Sequence, residues 1–449
     1  MSRKNRLTEH SILILSVVKW VLLAIVIGVI AGAGGALFLK LLGWSADETG
    51  KYSYYFLLMP PAFLFSSQLI HRLAPDAEGH GTEKVIEAVN KSSGRIKIAV
   101  VPVKALTTIV TIAAGGSLGK EGPCAQIGAG LASFFASLFR FGDTDRRKLV
   151  ICGISAGFAA VFGTPIGGAI FGIEVLAIGA LSYDVLLPSL IAGVVGYQVA
   201  AKLGIPYLYH FYDSPLPFDG VVFATVILAG LFFGLCSIML IEISRLGEYL
   251  SERLALRRSW KPLIGGLLLI GMTLLFSRSY LGMGLDSIEG SLAGESQPYY
   301  AFFLKAVFTS LTLAFGGSGG IVTPIFFIGS TAGAAFAQLL NMDIALFAAI
   351  GLVSVLAGAA NTPLAAGIIS IELFGPSVAP YAIVACAVSY LVTGHRSVFP
   401  AQRLATGKSS SIRVELDSDI QDVRPEFRYR EKSLPGVIHS LVRVMRRKG

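Results

Sequence analysis

Residues 115–123 read Gly-Gly-Ser-Leu-Gly-Lys-Glu-Gly-Pro, and residues 316–324 read Gly-Gly-Ser-Gly-Gly-Ile-Val-Thr-Pro. Each is a glycine-rich loop that ends on a proline. Glycine lets backbone turn sharply and approach a ligand closely. A proline in the first turn of a helix costs nothing, because the N–H it lacks would be unpaired there anyway. Each stretch therefore predicts a loop that runs into a helix N-terminus. Such an end carries free N–H donors and roughly half a positive charge. Two of them brought together make an anion site without a fixed full charge, one that can also release its anion. Glu121 breaks the symmetry, because its counterpart in the second copy is Val322. A carboxylate at an anion-binding helix end competes with the anion for the same donors, and protonation removes that competition. Plain alternatives are close helix packing for the glycines and ordinary helix capping for Glu121.

These loops belong to a longer repeat. Residues 104–128 and 305–329 align without a gap at an offset of 201 and agree at 12 of 25 positions, including Lys104/Lys305, Gly119/Gly320 and Pro123/Pro324. GTPIGGAIFGIEV at 163–175 resembles NTPLAAGIISIEL at 361–373 at an offset of 198. Two blocks at nearly one offset indicate duplication.

The elements that hold the loops must be membrane helices. The chain has 449 residues, of which 54% are apolar and only 14% charged; its mean hydropathy is +0.69. Many apolar runs are short or glycine-rich, as in the broken helices of a transporter core. The expected architecture is one all-α membrane domain over residues 1–400, with repeat halves at about 55–203 and 262–394, and a short tail at 401–449. An amphipathic helix is expected near 436–446. The net charge of +9 sits in short clusters beside apolar runs: Arg3, Lys4 and Arg6; Arg146, Arg147 and Lys148; Arg257, Arg258 and Lys261; and Arg443, Arg446, Arg447 and Lys448. This pattern reads as orientation by the positive-inside rule, with both termini cytoplasmic in an inner membrane and no nucleic-acid partner. Cys124, Cys152, Cys236 and Cys386 are scattered singly and read as buried apolar residues. The N-terminal apolar stretch is too long for a signal-peptide core and is expected to remain as a helix.

GKEGP at 119–123, GIVTP at 320–324 and GHGTE at 79–83 resemble, in order, three motifs of the CLC chloride channels and transporters. The likeness covers roughly residues 15–402. It implies a homodimer with one pore per subunit, and about eighteen helices per subunit in two inverted halves. It assigns the anion path to Gly79, His80, Gly81 and Thr82; to Gly119, Lys120 and Gly122; to Gly320, Ile321, Val322 and Thr323; and to Phe399. Glu121 takes the place of the external gating glutamate. Several positions depart from the family pattern. Val175 stands where exchangers carry an internal proton-accepting glutamate. His80 replaces a serine and Glu83 a proline, so the helix start there is expected to differ. Val322 replaces a phenylalanine. Phe399 replaces the pore tyrosine and removes its hydroxyl. Glu174, twinned by Glu372, matches a structural glutamate. The tail has no room for paired nucleotide-binding domains.

The sequence therefore supports transport of chloride or a similar small anion across a bilayer, gated by Glu121. Val175 and Phe399 favour channel-like or weakly proton-coupled conduction. The alternative is chloride/proton antiport, with water or His80 in place of the missing proton stop. The six histidines show no HExxH spacing and no G-x-S-x-G occurs, so neither an enzyme, a metal site nor a cofactor is expected.

Overall fold

A computed structural model describes residues 3–207, 209–212, 220–254, 260–424 and 426–427. The expected helix near 436–446, and the basic residues Arg257, Arg258 and Arg443 to Lys448, lie outside them. Sixteen α-helices are present among the described residues, against about eighteen implied by resemblance. The N-terminal segment holds no proline and runs as one helix, α1 (Arg3–Gly50). Seven shorter helices follow: α2 (Met59–Leu73), α3 (Thr82–Lys91), α4 (Val100–Ala113), α5 (Glu121–Leu138), α6 (Asp143–Phe162), α7 (Pro165–Glu174) and α8 (Leu186–Lys202). A second long helix, α9 (Gly220–Arg253), leads into another seven. These are α10 (Trp260–Leu275), α11 (Leu285–Leu292), α12 (Ala301–Ala314), α13 (Val322–Leu340), α14 (Ile344–Ala360), α15 (Pro363–Phe374) and α16 (Ala379–Thr393).

The two sets correspond helix for helix. In each, the helix that begins at the motif packs against the next one at a pair of facing glycines. Gly128 on α5 meets Gly153 on α6, and Gly329 on α13 meets Gly351 on α14; a Cβ at any of the four would run into the opposite carbonyl oxygen. Small residues at such crossings let membrane helices touch along their backbones. Helices α6 and α14 are buried for most of their length and form the centre of the molecule. The outside is apolar instead: Ile12, Leu15 and Leu22 on α1 are each more than half exposed. Among the described residues, four segments are long and apolar enough to cross a membrane: Glu9–Gly50, Tyr183–Lys202, Gly220–Arg253 and Val322–Leu340. Lipid is the solvent that such a surface requires, and the chain is a multi-pass membrane protein.

After α16 the chain runs as an irregular strap against the core and folds back, so that residues 402–404 hydrogen-bond with residues 417–420. Strand β1 (Ala177–Ile178) pairs in parallel with β2 (Arg403–Leu404), and β3 (Ile412–Arg413) pairs antiparallel with β4 (Glu426–Phe427). Gln402 fixes the strap. Its fully buried side chain donates to the carbonyls of Val175 and Ala360, each at 2.8 Å, and accepts from Ser397 and Asn361. Lys91 on α3 pairs with Asp419 on the strap at 2.6 Å.

Candidate functional site

The two glycine-rich loops meet face to face. Gly119 donates to the Gly320 carbonyl at 2.7 Å, and Gly320 donates back to Gly119 at 2.6 Å. Around this bridge the contacts repeat in pairs. Ser117 N–H donates to the Thr312 hydroxyl and Ser318 N–H to the Thr111 hydroxyl, both at 3.2 Å. The two halves are thus related by a pseudo-two-fold that passes between equivalent glycines. The amide groups of Gly119 and Gly320 are committed to each other.

Beyond the bridge each loop enters a helix, α5 at Glu121 and α13 at Val322, with Lys120 and Ile321 as the preceding caps. Glu121 is 3% exposed. Its carboxylate reaches across the pseudo-two-fold to the start of α13, where one oxygen accepts the Thr323 N–H at 3.0 Å. The Thr323 hydroxyl lies 2.7 and 2.6 Å from the two carboxylate oxygens. The negative group on one half therefore occupies the donor end of the other half's helix. Val322, its sequence counterpart, is fully buried and apolar and leaves that end open to it.

A third loop closes against the first two. Gly81 caps α3 with φ +83°, so the helix starts at Thr82 without the proline that the family pattern has. Around Gly122, the carbonyl of His80 and the Thr82 hydroxyl lie where a Cβ would stand, and the Gly320 Cα is 3.3 Å from that point. The His80 ring lies 5.3 Å from the ring of Phe399, itself fully buried. The structure thus brings together residues 79–82, 119–122, 320–323 and Phe399.

Lys104 explains how the third loop is held. Fully buried, it donates to the carbonyls of Ala77 at 3.2 Å and Gly79 at 2.5 Å, and to the Ser318 hydroxyl at 3.1 Å. Lys305 does the same in the other half, donating to Tyr280 and Gly282 at 3.1 and 2.9 Å. Each ammonium draws loop carbonyls towards itself, behind the helix start. This exposes a third repeated block that motif reading missed: Gly79, Gly81 and Glu83 correspond to Gly282, Gly284 and Asp286 at an offset of 203. Gly284 also has positive φ, +71°, before α11. The available signal was two glycines and one acid, upstream of a repeated lysine.

The second repeated block forms a reciprocal clasp. Glu174 at the end of α7 accepts from Leu364 and Ala365 at the start of α15, at 3.1 and 2.8 Å. Glu372 on α15 accepts from Ile166 and Gly167 at the start of α7, at 3.0 and 2.7 Å. Both carboxylates are therefore structural caps. Val175 beside them is fully buried, and its carbonyl is held by Gln402.

A family model described as voltage gated chloride channel matches residues 62–394. A protein named chloride/fluoride channel protein, from Pseudomonas syringae pv. tomato, is 37% identical over 413 residues, covering 90% of this chain and 91% of its own. The crystal structure of a CLC-type fluoride/proton antiporter superposes with a TM-score of 0.82 at 30% identity, covering 86% of this chain and 98% of that one. A slow cyanobacterial chloride/proton antiporter gives a TM-score of 0.73 at 22% identity, covering 83% of this chain and 94% of its own, a likeness of fold alone. With duplicated helix-end loops, a carboxylate across their meeting point and a matched model over most of its length, the chain belongs to the CLC family of voltage gated chloride channels and related anion transporters.

Proposed function

We propose that this protein moves fluoride across the membrane in exchange for protons, with Glu121 as the group that couples the two. The observation that carries the proposal is the seat of the Glu121 carboxylate on the N–H and hydroxyl of Thr323. Both donors reach one small, strongly hydrogen-bonding oxygen, Glu121 Oε2. Fluoride is similar in hardness and accepts hydrogen bonds as strongly, so it suits the donors that hold the carboxylate. Carboxylate and anion exclude each other there, so an anion enters when Glu121 is protonated and swings away. A cycle in which anion occupancy requires a proton links the two flows. The names of the relatives at 37% and 30% identity support fluoride as the anion.

A second reading, channel-like anion conduction, is favoured by Val175, which supplies no inner carboxylate, and by Phe399, whose ring lacks a hydroxyl. The same purified protein in liposomes separates the two. Under exchange, an outward fluoride gradient drives protons inward against their own gradient, and an equal chloride gradient drives few. Fluoride flux without proton movement would leave conduction as the answer, and equal proton movement with chloride would remove the fluoride preference. The proposal includes a homodimer with one pore per subunit, supported by family membership. It also places both termini in the cytoplasm, supported by the basic residues near the two ends of the sequence, Arg3, Lys4 and Arg6, and Arg443, Arg446, Arg447 and Lys448.

A further inference from the structure

Buried polar atoms in folded proteins nearly always have a partner. Among the described residues, twelve buried side-chain nitrogen or oxygen atoms have none, and four of these are His80 Nδ1, Thr82 Oγ1, Glu83 Oε2 and Gln126 Oε1. They are not scattered. Three come from four consecutive residues, and the Gln126 oxygen lies against Gly81, 3.1 Å from where a Cβ would stand. The Thr82 hydroxyl sits equally close to Gly122, the residue after Glu121. A third of the unpartnered atoms thus lines one route, from the start of α3 to the start of α5.

The carboxylates show which end of that route could carry a proton. Glu174 and Glu372 have both oxygens taken by backbone N–H groups. Glu121 is held by Thr323. Glu83 has one oxygen taken, by the Ala401 N–H at 2.8 Å, and the other unpartnered. Its seat lies between α3 and the strap, two residues from Phe399, whose ring meets His80. The charged groups facing it are Lys84 and Glu87 on α3 and Asp419 on the strap. Lys84 pairs with Glu87 at 3.0 Å, and Lys91 pairs with Asp419. The two acids facing Glu83 thus each have a lysine partner.

We infer that Glu83 is the inner proton carrier of this chain, taking protons at the strap face and passing them beside Thr82 and His80 to Glu121. In the step, the proton on Glu83 Oε2 leaves it as a carboxylate. It moves through water bridged by the Thr82 hydroxyl and His80 Nδ1 and arrives on the Glu121 carboxylate, which becomes neutral. The relay groups end unchanged. Glu83 then does from α3 what the valine at 175 cannot do from α7. The inference rests on the proton-exchange reading above.

The test measures fluoride and proton fluxes together in proteoliposomes for wild type, Glu83→Gln and Glu83→Asp. Glutamine keeps the oxygen that accepts from Ala401 but carries no exchangeable acid proton. The expected result is continued fluoride flux with proton movement per fluoride reduced about tenfold or more in Glu83→Gln, and at least partly restored in Glu83→Asp. Coupling equal to wild type in Glu83→Gln would overturn the inference and leave the exchange reading standing. Coupling lost equally in Glu83→Asp would overturn it too, since an acid would be present without effect. Wild type that moves no protons would remove both. If Glu83→Gln does not yield folded protein, Glu83→Asp decides: a shifted pH profile of coupling supports the inference, and an unchanged one overturns it.

Discussion

Glu121 on α5 and Thr323 on α13 are joined across the two halves of the chain, the Thr323 N–H 3.0 Å and its hydroxyl 2.6 Å from the same carboxylate oxygen. A helix start is a general anion site, and this one is occupied by the protein's own anion. With Glu121 as the proposed gate, its protonation would free the Thr323 donors, which ties opening of the site to acidity.

Glu121→Gln keeps the shape of the side chain and removes its charge. A neutral amide cannot match a carboxylate for the Thr323 donors, because charge-assisted hydrogen bonds are about twice as strong as neutral ones. Anion flux in proteoliposomes is expected to persist and to vary less than about twofold with pH. Wild-type flux is expected to change up to about tenfold per pH unit where protonation limits it. A variant that follows pH as wild type does would show that the gate lies elsewhere.

Gly320→Val tests the glycine bridge. A Cβ at Gly320 would lie 2.9 Å from the Gly122 nitrogen and 3.1 Å from both the Gly119 oxygen and the Pro123 Cδ. Most of these atoms are backbone, so relief must come from moving one helix start away from the other. The Gly119–Gly320 hydrogen bonds are then lost and the donors at Thr323 are displaced from Glu121. Flux is expected to fall at least about tenfold, as a displacement of ~1 Å costs sites of this kind more than that. Undiminished flux would mean that the second loop serves packing alone.

The clasp between α7 and α15 gives a prediction about stability. Glu174 is 7% exposed and answers two first-turn N–H groups of α15. Glu174→Ala leaves both unpaired in a buried setting, at a cost of about 2–4 kcal/mol if each contributes about 1–2. The detergent-solubilised protein should melt at a clearly lower temperature, with the ratio of proton to anion flux unchanged in the molecules that remain folded. A changed ratio at unchanged melting temperature would make Glu174 a transport residue instead.

Different parts of this arrangement were legible in the sequence to different degrees, for physical reasons. The repeat at Lys104–Gly128 and Lys305–Gly329 was plain because backbone-to-backbone contact at the bridge and at the Gly128 and Gly329 crossings tolerates no side chain. The match of Gly79–Glu83 with Gly282–Asp286 was hidden, since only the positive-φ turns and the carbonyls facing the lysines are constrained, and other side chains drift freely. The pairing of Gly119 with Gly320 was also invisible, because spacing along the chain does not say that two equivalent loops bond to each other rather than to a ligand. The strap after α16 left only a faint hydrophobic trace, because its buried apolar residues, Val398, Phe399, Leu404 and Ile420, are scattered among polar ones with no helical or strand period. The hydrogen bonds of Gln402, Ser397 and Asn361 that fix it leave no mark in composition.

Gln402 is where that strap can be tested. Its Nε2 satisfies the carbonyls of Val175, at the end of α7, and Ala360, at the end of α14, while its oxygen accepts from Ser397 at 2.6 Å and Asn361 at 3.2 Å. Gln402→Ala removes all four bonds and leaves a cavity among polar groups. With about 1 kcal/mol for each unsatisfied buried group, the loss is about 3–4 kcal/mol, concentrated where the strap meets the core. Gln402→Glu should be as damaging, because an ionised carboxylate would face the Val175 and Ala360 oxygens without a proton to offer either. Both variants are expected to lower the melting temperature and to open residues 403–424 to protease before the helices are cut. A Gln402→Ala protein whose melting temperature moves by less than about 1 °C, and whose strap stays as resistant as wild type, would show that the β1–β2 pairing and the Lys91–Asp419 pair suffice to hold it.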